Sequence, residues 1–325
     1  MKKVFITGGA GYVGSELSKY LIEQGYEVTV FDLFIYGQTL KSNSKLKLIK
    51  GDIRDQIALK KSIPGHDVVI HLACISNDPS FELNPKLGKE INLDAFEPLV
   101  NISKSNGVKK FIYASSSSVY GIKKEKNVNE EMSLEPMTDY SKFKADCEKI
   151  LLKYKSENFV SIIIRPATVC GYSSRQRLDL VVNILTNLAF HRREISVFGG
   201  EQLRPNIHIK DMIRSYKFLM EQDEEKVNGE IFNVGYENKS INDLANDVIK
   251  VIGPDVKIKK VSTDDNRSYH ISSSKIYKLL GFKNKYNILD AVQDLKSAFE
   301  NKKLTNSLDD INYFNIKKMQ NINLK

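Results

Sequence analysis

Two periods of apolar spacing alternate along the chain. Short, nearly continuous apolar runs recur at KKVFI (2–6), EVTVFD (27–32), DVVIHLA (67–73), KKFIYASS (109–116) and FVSIIIRP (159–166), each reading as a strand. Between them lie stretches with helical spacing. YVGSELSKYLIEQGY (12–26) places Val13, Leu17, Leu21 and Ile22 on one side, and ELNPKLGKEINLDAFEPLVNISKSNG (82–107) reads as one long helical stretch. KLKLIKGDIRD (45–55) reads as a further strand that ends in a polar turn. Strands apolar on successive residues are buried on both faces, so the repetition predicts an α/β fold with a doubly wound parallel sheet. Ligands then sit beyond the carboxyl ends of the strands. Past Gly171 the rhythm changes. RLDLVVNILTNLAFHRRE (177–194), KDMIRSYKFLMEQ (210–222) and SINDLANDVIKVIG (240–253) read as helices, while ISVFGGEQLRPNIHIKD (195–211) and EIFNVG (230–235) carry strands. Residues 171–325 are therefore expected to form mainly a smaller α/β lid over the cleft, with elements near 207–235 returning to the sheet of residues 1–170.

The glycines of TGGAGYVG (7–14) lie between the first strand and the first helix. Gly9, Gly11 and Gly14 fit G-x-G-x-x-G, and Gly8, Gly11 and Gly14 fit the wider G-x-x-G-x-x-G. Strand, glycine turn and helix form the context in which a pyrophosphate approaches a helix N-terminus. Asp32 ends the second strand, roughly 20 residues beyond the glycines, where a carboxylate accepts hydrogen bonds from a ribose and repels a 2′-phosphate. Leu33, Phe34 and Ile35 follow it rather than a basic residue, which favours NAD over NADP. Asp52 ends another strand, either as a contact to adenine or as a simple turn residue. Tyr140 and Lys144 stand four apart in PMTDYSKFK (136–144), so both project from one helical face. An ammonium near a phenol stabilises the phenolate, which makes Tyr140 a candidate general base for an alcohol.

Composition adds exclusions. The chain is 41% hydrophobic and 27% charged, ordinary for a globular protein, with no apolar run approaching the ~20 residues of a membrane helix. MKKVFITGG passes from two lysines into a strand, unlike a signal peptide, so a cytoplasmic location is expected. Cys74, Cys147 and Cys170 have no metal-ligand spacing, so no metal is expected. The net charge of +9 comes from scattered lysines without aromatic interleaving, which argues against nucleic acid as a partner and suits a diphosphate ligand.

The ordered set TGGAGYVG (7–14), FD (31–32), GDIRD (51–55), HLA (71–73), Asn92 in KEINLDAF, SSSSVYG (115–121), YSKFK (140–144), RPATVCG (165–171) and RPNIHIKD (204–211) resembles the extended short-chain dehydrogenase/reductases, specifically the nucleotide-sugar epimerases and dehydratases. RSYHISSSK (267–275) resembles their late substrate-binding stretch more loosely. The resemblance implies a Rossmann NAD-binding domain over residues 1–170 and a substrate-binding lid. It implies that Gly8, Gly11 and Gly14, with Tyr12 and Val13, hold the pyrophosphate, that Asp32 binds ribose, and that Asp52 and Ile53 border adenine. Leu72, Ala73, Asn92 and Pro166 would complete the cofactor site. Ser116, Tyr140 and Lys144 would be catalytic, with Lys144 also binding the nicotinamide ribose and lowering the pKa of Tyr140. Ser116, Ser117 and Thr168 would meet substrate, and Arg204 and Arg267 would neutralise its diphosphate. Ser117 and Ser118 stand where dehydratases of the family carry Asp-Glu, which disfavours dehydration. The expected activity is NAD-dependent oxidation of a nucleotide-diphosphate sugar at C4, opening an epimerisation. Release of the keto sugar with NADH, for example from a GDP-heptose, is the alternative, and a non-catalytic NAD-binding scaffold is the alternative of another class. A homodimer packed through helices near Asn92 and Tyr140 is implied as well.

Overall fold

A computed structural model describes residues 2–263 and 268–322. The strands are β1 (Lys3–Thr7), β2 (Glu27–Asp32), β3 (Leu46–Lys50), β4 (Val68–His71), β5 (Lys110–Ala114), β6 (Val160–Pro166), β7 (Thr168–Cys170), β8 (Glu194–Phe198), β9 (Leu203–His208), β10 (Glu230–Val234), β11 (Glu237–Ser240) and β12 (Lys257–Val261). Seven of them form one parallel sheet in the order β10-β6-β5-β4-β1-β2-β3. Successive residues feed opposite faces. Ile6, Val30, Ile70, Ile112 and Ile162 enter one core cluster, and Phe5, Phe31, Val69, Phe111 and Ile163 the other. Burial on both sides explains why these strands read as continuous apolar runs. β3, one of the two edge strands, is less buried, consistent with its lysines.

The chain order reverses between β1 and β4: β2 and β3 extend one way, β4 to β6 the other. At such a switch the loops diverge and leave a crevice beyond the strand ends. β10 pairs with β6, so part of the second half does return to the main sheet. The helix Ile209–Glu221 returns likewise, packing on the helix Tyr12–Glu23. The remaining elements build a second layer. A three-stranded sheet runs β11-β9-β7, and a two-stranded one pairs β12 with β8. The helices Val181–Arg192, Ile241–Ile252 and Ile288–Glu300 share a core of their own around Val182, Leu244 and Val292.

The packed face of the first helix carries Leu17 and Leu21, with Val13 and Ile22 partly buried against the same core cluster and Tyr12, Gly14, Ser15 and Ser18 buried beside them. One local expectation is corrected. The stretch 82–107 is not one helix. Short helices Asp78–Glu82 and Pro85–Lys89 are followed by a π-helical turn, Glu90–Asp94, and then by the helix Phe96–Ser105. Asn84 restarts the helix by accepting from Leu87 N at 3.1 Å, with Pro85 in the first turn where its missing N–H costs nothing.

Candidate active site

One cleft of about 370 Å³ opens at the switch point. Its floor is the glycine turn. Gly8 has φ +72°, a conformation L side chains rarely adopt, and Gly11 N donates to Gly8 O at 3.1 Å. A Cβ at Gly14 would come within 2.2 Å of Gly8 O, so the helix can start close to the strand only with glycine there. That helix, Tyr12–Glu23, has no side-chain cap, and its first turn lines the cleft, an arrangement that suits an anion. Tyr12 Oη donates to Gly171 O at 2.7 Å, which ties the turn to the second half of the chain.

Asp32 points back across the turn. Its Oδ2 accepts from Ala10 N at 3.0 Å and its Oδ1 from Phe34 N at 2.8 Å, with Phe34 in the left-handed region at φ +54°. Burial pushes the Asp32 pKa up, opposed by the Phe34 and Ala10 N–H groups and by the nearby charge of Arg175. Asp52 and Ile53 line the same end. Burial works against the Asp52 carboxylate, yet the Arg54 guanidinium, bonding at 2.7 and 3.1 Å, holds it below the usual range.

Leu72 and Ala73, just past β4, line the cleft next, together with Pro166 at the end of β6 and Thr168 at the start of β7. Asn92 does not line the cleft. The π-turn places its amide against Ile75, with Oδ1 accepting from Ile75 N at 2.8 Å and Nδ2 donating to Ile75 O at 3.0 Å. It holds the loop after β4 from behind.

Ser116, Tyr140 and Lys144 meet at the end of β5 and all line the cleft. Ser116 caps a 3₁₀ turn, Ser117–Tyr120, accepting from Ser118 N at 3.1 Å, and its hydroxyl lies 2.8 Å from that of Ser118. The helix Asp139–Tyr154 carries the other two. A capping box between Thr138 and Ser141 starts it one residue before Tyr140. Lys144 is buried, donates to Ala114 O at 2.7 Å, and sits 5.8 Å from the Tyr140 ring centroid. The expectation that Lys144 governs the acidity of Tyr140 is corrected. Burial dominates and pushes the phenol well up, helped by Cys74 and Asp78, while Arg177 and the Asn77 backbone N–H pull it down. Asn77, at φ +70°, is a strained residue at the cleft wall.

Ser117 is buried and lines the cleft too. Arg204 stacks on Tyr269 at 4.9 Å, and it is Tyr269 that reaches the cleft lining. Arg267 lies outside the described residues. Arg175, Arg177 and Asn315 line the cleft without having been singled out from the sequence. The R-x-R spacing in SSRQR (173–177) was a signal for the arginines; nothing local marks Asn315. Among the described residues no cluster of His, Cys, Asp or Glu suits a metal, and no helix is long and apolar enough to cross a membrane.

The glycine turn, the uncapped helix and the Asp32 carboxylate fit a dinucleotide, and comparison with known proteins agrees. The model of the NAD dependent epimerase/dehydratase family matches residues 4–235. The chain is 27% identical over 314 residues to a UDP-glucose 4-epimerase of Lactobacillus helveticus, covering 89% of this chain and 94% of that one. Among solved structures, it resembles a UDP-N-acetylglucosamine 4-epimerase from Methanobrevibacter ruminantium in complex with UDP-N-acetylmuramic acid, with TM-score 0.84 and 26% identity over 93% of this chain and 99% of that one. A dTDP-glucose 4,6-dehydratase from Streptomyces venezuelae with NAD bound shares the fold, with TM-score 0.84 and 21% identity over 94% of this chain and 100% of that one.

Proposed function

Because the chain belongs to the NAD dependent epimerase/dehydratase family, we propose that it oxidises a nucleotide-diphosphate sugar at C4 as the first step of an epimerisation. The observation that carries this reading is the convergence of Ser116, Tyr140 and Lys144 on the cleft that also contains the glycine turn and Asp32. Bound NAD supplies the hydride acceptor. Ser116 Oγ hydrogen-bonds the oxygen of the reacting hydroxyl, and Tyr140 Oη takes its proton. Lys144, fixed on Ala114 O at 2.7 Å and 5.8 Å from the Tyr140 ring centroid, is placed to hold the nicotinamide ribose beside the phenol. A scaffold that only bound NAD would have no need of that arrangement. Dehydration is disfavoured because Ser117 and Ser118 offer no group that titrates near neutrality, and the Ser118 hydroxyl is already engaged with Ser116.

Tyr140→Phe is expected to abolish turnover while NAD binding stays within a few-fold of wild type, as read by single-turnover absorbance and calorimetry. Full activity in that variant would remove the assignment. Assaying wild type against UDP-, GDP- and dTDP-sugars tests the rest. Product epimers at trace NAD support epimerisation, and stoichiometric NADH with a released keto sugar identifies a dehydrogenase instead.

A further inference from the structure

The loop after β7 delivers two buried arginines to the cleft, and they are held differently. Arg177 is neutralised: its Nε and NH2 donate to the two oxygens of Asp179 at 2.9 and 3.2 Å. Arg175, 4% exposed, has no carboxylate within ion-pair distance among the described residues, and its Nε has no hydrogen-bond partner among them. Its guanidinium carbon lies over the Tyr36 ring, 3.6 Å from the centroid, and NH2 donates to Asn315 Oδ1 at 2.7 Å. Burial and the neighbouring Arg177 push its pKa down to about 10. A cation so deeply buried, with Asp32 and Asp179 acting on it only at longer range and no carboxylate in bonding contact among the described residues, is costly, and the natural relief is a ligand that brings an anion within reach.

Position says which ligand. Tyr36 lies four residues past the end of β2. Ser76, which accepts from Arg177 at 3.2 Å and from Asn315 Nδ2 at 2.9 Å, lies in the loop after β4. In the sheet β1 lies between β2 and β4, and the glycine turn follows β1. The arginines therefore bridge two loops that flank the glycine turn, and the residues just before them hold the first turn of the helix Tyr12–Glu23, Ser173 Oγ donating to Tyr12 O at 2.8 Å and Ser174 N to Glu16 Oε1 at 2.7 Å. Asn315 comes from the C-terminal helix Asn315–Asn321, far from the glycines in sequence, and its backbone N donates to Asp179 at 2.9 Å.

We propose that Arg175 binds the diphosphate of the dinucleotide cofactor, opposite the helix N-terminus, and that Asn315 positions it there. The inference rests on the NAD-dependent reading above and adds to it a closing residue from the far end of the chain. Arg175 supplies charge-assisted N–H bonds to phosphate oxygens, while Asn315, acting through Arg175, is a positioning residue.

The test is direct binding of NAD, ADP-ribose and adenosine by calorimetry, with wild type, Arg175→Met, Arg175→Lys and Asn315→Ala. Arg175→Met is expected to weaken NAD and ADP-ribose alike by about tenfold or more, and adenosine by less than about twofold. Arg175→Lys is expected to recover part of the loss. Asn315→Ala is expected to lose a few-fold in the wild-type background and almost nothing when Arg175 is already Met, which a merely structural asparagine would not do. The cofactor-induced rise in melting temperature should shrink in Arg175→Met while its cofactor-free melting temperature holds, separating lost binding from lost folding. NAD binding unchanged in Arg175→Met would overturn the inference alone. So would a loss as large for adenosine, or one confined to NADP, either of which puts the guanidinium elsewhere on the nucleotide. Failure of wild type to bind NAD would overturn the proposed function with it.

Discussion

Asp32 fixes local backbone while lining the cleft, so its proposed contact with ribose can be tested apart from its structural one. Its two oxygens accept from Ala10 N and Phe34 N, so it fixes the glycine turn and its own strand end together. Each oxygen retains lone-pair capacity toward a ribose in the cleft. Asp32→Ala is expected to weaken NAD by about tenfold to a hundredfold, since hydrogen bonds to a charged group are worth ~1.5–3 kcal/mol. NADP, whose 2′-phosphate the carboxylate repels, should lose far less. Titrating both nucleotides checks this, with NADP as the control for general damage to the turn; equal losses would count against the ribose contact. This residue, the glycines and the Tyr140–Lys144 pair were legible in the sequence because short-range spacing defines each of them. Arg175 was not, because its meaning lies in contacts with Tyr36 and Asn315, each remote in sequence. The acidity of Tyr140 was misjudged for a related reason. Spacing reveals the ammonium one turn away, but not the burial that outweighs it.

At the scale of elements, the helix Asp139–Tyr154 ties the cleft-lining Tyr140 and Lys144 to the sheet. Tyr140, Lys144 and Glu148 follow one another at intervals of four, so they share a face. Glu148 closes a buried pair with Arg165 of β6, at 3.0 and 2.6 Å, and accepts from Ser115, the neighbour of Ser116. Arg165 also donates to Tyr120 at 2.8 Å. One carboxylate thus fixes the helix against both β6 and the loop after β5. Glu148→Gln would leave the Arg165 cation buried without its anion. The expected cost is about 3–5 kcal/mol, read by urea unfolding at neutral pH. A cost below about 1 kcal/mol would mean that the helix is held by apolar packing alone. Element boundaries show where sequence reading ended. The break at Asn84 and Pro85 is written in cap and proline chemistry, but the π-turn at Glu90–Asp94 is set by Asn92 reaching Ile75, a tertiary contact with no helical period of its own.

For the whole molecule, the parallel sheet was the most legible feature, since burial on both faces marks a strand without reference to its neighbours. The order of strands in the second half was less so. β7, β9 and β11 form a small mixed sheet whose short strands have weak patterns, while β10 leaves that half to pair with β6. A sheet buried on both faces also makes the molecule sensitive to acid through a polar group inside it. His71, at the end of β4, is fully buried, bonded through Nδ1 to Thr7 Oγ1 at 2.7 Å and stacked on Tyr113, and burial holds its pKa down to about 3, with Lys144 adding to the effect. The unfolded chain takes up this proton near pH ~6.5, the folded protein only near the lower value. Between those limits the unfolded state binds more protons, so stability falls as pH falls, by up to about 1.4 kcal/mol per pH unit from this residue. His66 and His191, also lowered by burial, act in the same direction. Asp32, whose pKa is raised, acts in the opposite direction nearer the carboxylate range. His71→Asn keeps a partner for Thr7 and removes the titration. Urea unfolding at pH 7 and pH 5 is then expected to show wild type losing about 2 kcal/mol more than the variant over that interval, and parallel losses in the two proteins would assign the acid sensitivity to other groups.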